Sequence, residues 1–540
     1  MTHEAPATLI LSAAYCGQEL RAEFGRLPPS FLPVGNKRLF ERQIEALNGS
    51  APLWLTLPDD FEISLSDQER IAAAGAEILR LDPSLSLAAS LEQALHALDI
   101  SGAVRILHGD TLVQGLDLSA QDTIAVESSS DHYDWAFCEM SEGRLRISEG
   151  PRDGVSRDVI CGYFHLSDAN LLSEALRETG RFTQALEHYG ASRNLETVRC
   201  SEWLDFGHLA TFFRSRRNLL TARSFNNLQS DGQEIIKFSD DTAKIRAEAA
   251  WYRALPTTLT MNTPRYLGDS DQNFKAGYRL EYLYLPTLAD LFVFGRLPDN
   301  VWLRVLNCCA DLLDTVAEHS PHSGSPESSP EFAARYHQDM TIAKSRERLE
   351  KFLDSRGWNL ETAFSLNGGE ECRIGEVLET ALSCLTPTGP AEIRLVHGDF
   401  FFGNLFYDTR ANRVIMVDPR GHINGGEACV YGDIRYDFAK LAHSVIGCYD
   451  HIIAGYSQLT RKGPTDWAFE ISHTSGYAAL VEAMFVCADQ RVQLGRRELL
   501  DRVILLFLSM LPLHADSRDR QDHLLANALR LAKMAGDLEP

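Results

Sequence analysis

Residues Arg394 to Arg420 read RLVHGDFFFGNLFYDTRANRVIMVDPR. An apolar run, Leu395-Val396, ends in His397-Gly398-Asp399, and Asn404 follows five residues after Asp399. A second apolar run, Val414 to Val417, delivers Asp418. Two short strands would present Asp399, Asn404 and Asp418 at neighbouring ends. One free acid beside a carboxylate–amide pair is the set that magnesium-dependent phosphoryl transfer needs.

Upstream, the pattern strand, turn at Asp231-Gly232, strand, then helix is expected over 224–256. The strand Glu234 to Phe238 contains Lys237, and the helix after it contains Glu248, eleven residues on. A strand lysine paired with a helix glutamate is how kinase-like folds hold nucleotide phosphates. Taken alone, an edge-strand lysine and an exposed helix glutamate would be the plainer reading. Ser224 to Asp231 would be the loop covering the nucleotide, although it is not glycine-rich. Tyr278 to Leu283 reads as a strand that runs into a helix after Pro286. In kinase-like folds such a junction is the hinge for adenine, with Glu281 to Leu283 supplying backbone donors and acceptors.

Together these features resemble the aminoglycoside phosphotransferase and choline kinase family, over residues 223–515. The family motif is His-Gly-Asp, four residues, Asn and a later Asp, matched here by His397-Gly398-Asp399, Asn404 and Asp418. GDIRYDFAKLAH (432–443) matches its later Gly-Asp-x-x-x-Asp element. The resemblance implies a two-lobed, protein-kinase-like fold that uses ATP and Mg²⁺. Asp399 would orient the acceptor hydroxyl and take its proton. Asn404 and Asp418 would hold the metal, whose preference is for hard oxygen ligands. Lys237, fixed by Glu248, would neutralise phosphate charge, and Glu281 and Leu283 would meet the base. His397, Asp433 and Asp437 would support the loop. Arg420 departs from the family pattern and would meet an anionic group or pair with Asp433. The tail, 444–535, reads as helical, and His514 and Asp516 would stand at a helix end near the substrate or serve structure alone.

The first part of the chain alternates strands (8–14, 52–57, 76–81, 104–110, 123–128) with helices, including 86–98 with Ser86 as N-cap. That order indicates a parallel, Rossmann-like sheet, with ligands at the C-terminal strand ends. LILSAAYCGQELRAEFGRLPPSFLPVGNKRLF (9–40), HGDTLV (108–113) and EWLDFGH (202–208) resemble segments of sugar-phosphate nucleotidyltransferases, over roughly 7–215. By that resemblance Asp110 and Asp205 would form a second metal site. The departures concern phosphate contacts. Tyr15 stands for the first loop glycine, Glu19 for the arginine, Pro29 for the lysine of Pro-Lys and Gly150 for that of Glu-Lys-Pro. An acid near a triphosphate is repelled, the more so at low dielectric. Four readings stay open: an active nucleotidyltransferase, a degenerate domain that binds a sugar nucleotide, a partner surface, or two loop-end acids without a ligand. Arg214, Arg216 and Arg217, in the helix expected over 207–222, read as a solvated face.

Length and composition fit this layout. The chain has 540 residues, 44% of them hydrophobic, and a net charge of -23 from 52 basic and 75 acidic residues. Such a charge argues against a general nucleic-acid or anionic-membrane binder. Eleven cysteines without CxxC spacing suit reduced thiols, and no basic leader or long apolar span is evident, so a cytoplasmic location is expected. The expected domains are 1–215, an α/β nucleotidyltransferase-like unit, and 223–540, an α+β kinase-like unit with lobes at about 223–283 and 284–540. The expected partners are a nucleoside triphosphate and a small-molecule hydroxyl substrate: a sugar, an amino alcohol or a choline-like compound. Fusion of the two would suit precursor synthesis for surface polysaccharide or lipid, either as a bifunctional enzyme or as a kinase with a sensor or scaffold domain.

Overall fold

The computed structural model describes residues 5–47, 52–129, 131, 133–141, 144–150, 157–221, 228–272, 275–423, 428–472 and 476–538. Two compact units emerge: Met1–Leu220 with Phe294–Arg296, and Thr221–Val293 with Leu297–Pro540.

Unit 1 is α/β. Its strands are β1 (Ala7–Leu11), β2 (Leu53–Pro58), β3 (Ala76–Leu81), β4 (Val104–His108), β5 (Thr111–Gln114), β6 (Thr123–Ser129), β7 (Ala136–Ser141), β8 (Arg144–Glu149), β9 (Arg157–Leu166), β10 (Glu196–Arg199) and β11 (Glu202–Asp205). The main sheet runs β10-β6-β9-β4-β1-β2-β3. From β4 to β3 it is parallel, as the strand–helix alternation requires. β9 runs antiparallel to both β4 and β6, so the full sheet is mixed. Leu9, Ile106, Ile124 and Phe164 pack under helix residues Leu91, Leu172 and Leu186 to form the core on one face. The helix Leu87–Ala97 starts where Ser86 accepts the N–H of Ala89. In the helix Leu209–Thr221, Arg214 is exposed but Arg216 is buried. The solvated-face reading therefore fails at Arg216, which points inward with Phe212 and Phe213.

β5 and β11 form a separate antiparallel pair that sets Asp205 opposite Thr111. This register carries Asp205 to the residue that follows Asp110.

Unit 2 is α+β and two-lobed. Its first lobe is an antiparallel sheet of β12 (Leu228–Ser230), β13 (Glu234–Ser239), β14 (Tyr266–Gln272) and β15 (Lys275–Glu281), in the order β12-β13-β15-β14, with the helix Thr242–Ala254 beside it. Asp241 caps that helix by accepting the N–H of Lys244. Ser224 to Asn227 of the expected covering loop lie outside the described residues.

The second lobe is mostly helical. The strand Ile393–Leu395 pairs with Tyr431–Asp433, whereas Arg413–Met416 pairs with Leu405–Asp408. The two strands that deliver Asp399 and Asp418 thus belong to different ribbons. The helix Ile434–Val445 is buried along its whole length. The helices Pro330–His337 and Lys344–Arg356 are joined by a π-helical turn, Gln338–Ala343. The tail is not wholly helical: Ser457–Arg461 and Asp466–Ile471 form an antiparallel hairpin whose second strand lies parallel to Ala363–Leu366. Trp467, Phe469 and Ile471 bury alternate positions, the period-two signature of a half-buried strand.

No described helix is long and apolar enough to cross a membrane. The eleven cysteines are free thiols.

Candidate active site

Asp399 lines a cavity of about 640 Å³ together with Lys237, Glu248, Asn404, Asp418, Arg420 and Lys440. Its backbone is fixed from behind. Asp437, in the buried helix Ile434–Val445, accepts the N–H of His397 at 2.7 Å and that of Gly398 at 2.8 Å. Gly398 has φ +78°, and a Cβ there would meet the Arg420 side chain at 2.7 Å, so the position demands glycine. His397 donates from Nε2 to the carbonyl of Val417 at 2.9 Å and accepts the Asp399 N–H on Nδ1 at 3.3 Å. Burial lowers its pKa to about 4, so the ring is neutral and ties the two ribbons together.

The Asp399 carboxylate has two partners. Lys440 Nζ lies 2.8 Å from Oδ1, and Asn404 Nδ2 donates to Oδ2 at 3.1 Å. Burial pushes the Asp399 pKa up, but Lys440 and Arg420 outweigh it and bring it down to about 2. The group is therefore ionised at any physiological pH.

Lys237 projects from β13 between two acids, 2.7 Å from Glu248 Oε2 and 3.1 Å from Asp418 Oδ1. Tyr278, opposite Lys237 on β15, adds an O–H bond of 3.0 Å to the same Glu248 oxygen. Burial works against the ammonium, but Asp418 and Glu248 raise its pKa above the ordinary lysine value. Asp418 has φ +56°, a left-handed conformation that a non-glycine residue adopts only when its surroundings impose it.

Among the described residues no group of three or more His, Cys, Asp or Glu is arranged to hold a metal. Mg²⁺ needs fewer protein ligands than that, because it keeps water and binds substrate phosphates. With Asn404 Nδ2 engaged by Asp399, its Oδ1 is the atom left for a cation, and Asp418 lines the same cavity; an amide oxygen and a carboxylate are donors that fit Mg²⁺.

Glu281 and Leu283 are not brought to this cavity; they line another, of about 770 Å³, with Tyr252, Tyr266 and Arg413. Glu281 is the last residue of β15, its N–H bonded to the Arg265 carbonyl at 2.9 Å. The Tyr282 N–H is likewise bonded to Gln233 at 2.9 Å. Arg420 does not pair with Asp433, which is held by Arg435 at 2.7 Å. Its Nη2 lies 3.1 Å from the Tyr436 hydroxyl. Burial would raise the Tyr436 pKa, but Arg420, Lys344 and Lys440 bring it down to about 7. Sequence reading passed over Lys440, Tyr436 and Lys344. The available signal for Lys440 was its place three residues after Asp437 on one helix, Ile434–Val445. His514 lines the cavity, whereas Asp516 is ion-paired with Arg520.

In unit 1, Asp110 and Asp205 line a separate cavity of about 820 Å³ with His108, Trp135, Trp203 and His208. The two carboxylates are close, since a Cβ on Gly207 would stand 2.7 Å from one and 3.4 Å from the other. Burial, then Asp205, raises the Asp110 pKa to about 6. Asp205 Oδ2 accepts the Thr211 hydroxyl at 2.5 Å and lies 3.3 Å from His208 Nδ1. Tyr15 donates to Asp60 at 2.6 Å, and Arg26 covers its ring while pairing with Asp60 at 2.8 Å. Glu19 is exposed on the helix Gln18–Phe24, Pro29 opens the turn Pro29–Phe31, and Gly150 lines the cavity at φ +109°.

The family model described as the phosphotransferase enzyme family matches residues 222–468. The C-terminal region is a kinase-type phosphotransferase domain. No curated protein matches the chain. Among solved structures, UDP-glucose pyrophosphorylase complexed with UDP-glucose is 15% identical, covering 41% of this chain and 100% of its own, with a TM-score of 0.33. Inositol-1-phosphate CTP transferase from T. maritima is 12% identical over 40% of this chain and 96% of its own, with a TM-score of 0.31. Aminoglycoside-3'-phosphotransferase of type VIII is 14% identical over 53% of this chain and 90% of its own, with a TM-score of 0.32. Scores at that level transfer no activity to either unit.

Proposed function

We propose that unit 2 transfers the γ-phosphoryl group of ATP to a hydroxyl of a small metabolite. The observation that carries this reading is the placement of an ionised Asp399 between Lys440 and Asn404, in one cavity with the Lys237–Glu248 and Lys237–Asp418 pairs. Mg²⁺, held by Asn404 Oδ1 and the Asp418 carboxylate, would neutralise the phosphate charge when bound. Lys237 would bind a phosphate oxygen, with Glu248 fixing its position. Asp399 would accept a hydrogen bond from the acceptor hydroxyl and aim its oxygen at the γ-phosphorus. The new O–P bond forms as the bond to the ADP oxygen breaks, and the hydroxyl proton passes to Asp399. With a pKa of about 2, Asp399 is a weak base, so its first task is orientation and proton uptake comes late. The acceptors to try first are sugars, amino alcohols and choline-like compounds. The test is ADP release from ATP, magnesium and such a panel, with wild type and Asp399→Ala side by side. Turnover equal in the two proteins would overturn the reading.

A second reading concerns unit 1, where the adjacent Asp110 and Asp205 carboxylates edge a large cavity. They support a divalent cation and a sugar nucleotide, in a catalytic or a purely binding domain. As an enzyme, unit 1 would activate the phosphate ester made by unit 2 for cytoplasmic synthesis of polysaccharide or lipid precursors. Pyrophosphate release from nucleoside triphosphate and a sugar phosphate tests the catalytic form; its absence leaves the binding domain.

A further inference from the structure

The acceptor side of the Asp399 cavity is built from cations. Lys344 and Arg348 lie one turn apart on the helix Lys344–Arg356, and Arg420 and Lys440 approach from the loop after Asp418 and from the helix Ile434–Val445. They surround Tyr436, whose hydroxyl is 3.3 Å from Lys344 Nζ and 3.1 Å from Arg420 Nη2. Lys440 is neutralised by Asp399. Lys344, Arg348 and Arg420 have no carboxylate within ion-pair distance among the described residues. Lys344 is only 5% exposed.

A buried ammonium without a counter-ion is costly, and three neighbouring cations repel one another. Burial lowers the Lys344 pKa to about 8; Tyr436 works against the shift, and Arg420 and Arg348 add to it. Protein interiors keep such an arrangement where an anion completes it. Among the described residues the remaining wall, with Met340, Leu506, Ser509 and Met510, contributes no carboxylate. The nucleotide end is balanced by contrast, since Lys237 there meets Glu248 and Asp418.

We propose that the phosphoryl acceptor of unit 2 is an anionic alcohol, a hydroxyl compound carrying a carboxylate or phosphate group that Lys344, Arg348 and Arg420 bind. This rests on the kinase reading above and narrows it against amino alcohols and choline-like compounds, whose charge these three residues would repel. Tyr436 stands one helical turn before Lys440, the partner of Asp399. The acceptor's anionic group and its reacting hydroxyl would therefore be roughly 6 Å apart, the rise of four helical residues.

The test compares acceptors matched in all but charge: glycerol, glycerate and glycerol 3-phosphate; glucose, glucuronate and glucose 6-phosphate; ethanolamine and choline. At least one anionic member should exceed its neutral counterpart about 100-fold in kcat/KM, and the carboxylate and phosphate arms tell which anion is preferred. Asp399-dependent turnover that favours a neutral or cationic member would overturn the inference. Lys344→Met and Arg348→Met should each raise the acceptor KM about tenfold or more and leave the ATP KM unchanged. Lys344→Met removes a buried charge, so loss of folding is not its expected effect. A second measurement needs no turnover: inorganic phosphate titrated calorimetrically into protein saturated with magnesium and a non-hydrolysable ATP analogue. Binding should weaken about tenfold in both variants, and equal affinity in all three proteins would overturn the inference. If phosphate binding depends on Lys344 while no acceptor is turned over, the kinase reading fails and the anion site stands.

Discussion

Lys440 Nζ lies 2.8 Å from Asp399 Oδ1, so the carboxylate that faces the acceptor is ion-paired from the helix behind it. This pairing, together with the charge of Arg420, keeps Asp399 ionised. Lys440→Met should lower kcat about 100-fold, a loss typical for misplacing an acid–base group, with the ATP KM nearly unchanged. Steady-state kinetics check this; an unaltered kcat would remove Lys440 from the site.

The Lys237–Glu248 pair combines a stability role with a binding role. The Glu248 side chain is 3% exposed, so Lys237→Met alone strands a buried carboxylate and should cost about 3–5 kcal/mol. Lys237→Met combined with Glu248→Gln should recover most of that stability, but neither protein should bind ATP as wild type does. Denaturant unfolding and nucleotide titration separate the two effects.

Asp450 makes stability depend on pH. Burial raises its pKa from the ordinary 3.8 to about 7, and its Oδ2 has no hydrogen-bond partner among the described residues. Between those values the unfolded chain is ionised at this position while the folded chain holds its proton. Stability is therefore lost as pH rises from about 4 to about 7. Asp450→Asn should melt like wild type near pH 4 and several degrees higher at pH 8, by scanning calorimetry. A variant less stable than wild type at pH 8 would contradict the assignment.

In unit 1 the adjacent Asp110 and Asp205 should respond to magnesium. In an Asp418→Asn background, which silences the other candidate site, millimolar Mg²⁺ should raise the melting temperature of unit 1, because a ligand that binds only the folded state stabilises it. Adding Asp110→Asn should abolish that rise.

The parts of the site that are contiguous in sequence were legible there. Asp399 and Asn404 share a single short loop, and Lys237 and Glu248 are joined by one turn. His397 links the two ribbons through the Val417 carbonyl, a contact that residue order alone does not reveal. Lys440 and Tyr436 were harder to see, because Ile434, Phe438, Leu441 and Val445 mark an apolar stripe that assigns the other face to solvent, whereas Ile434–Val445 is buried on every side. The hairpin Ser457–Arg461 with Asp466–Ile471 was hidden by apolar segments on both sides of it, although its alternation was present in WAFEI. Arg216 was misjudged because charge suggested solvent while helical phase turned it inward. Glu281 and Leu283 were placed at the base by analogy alone; the Glu281 N–H is bonded to the Arg265 carbonyl, which leaves its own carbonyl and the Leu283 backbone for that role.

The π-helical turn Gln338–Ala343 sets the rotational phase of the helix that carries Lys344 and Arg348. Relative to a continuous α-helix, such a turn inserts a residue, and one residue corresponds to about 100° of rotation. Deleting a single residue from the turn would swing both cations off the cavity wall and leave the composition of that wall's helix intact. A length change of one residue, rather than any substitution, is thus the simplest step by which this scaffold could exchange one acceptor charge for another.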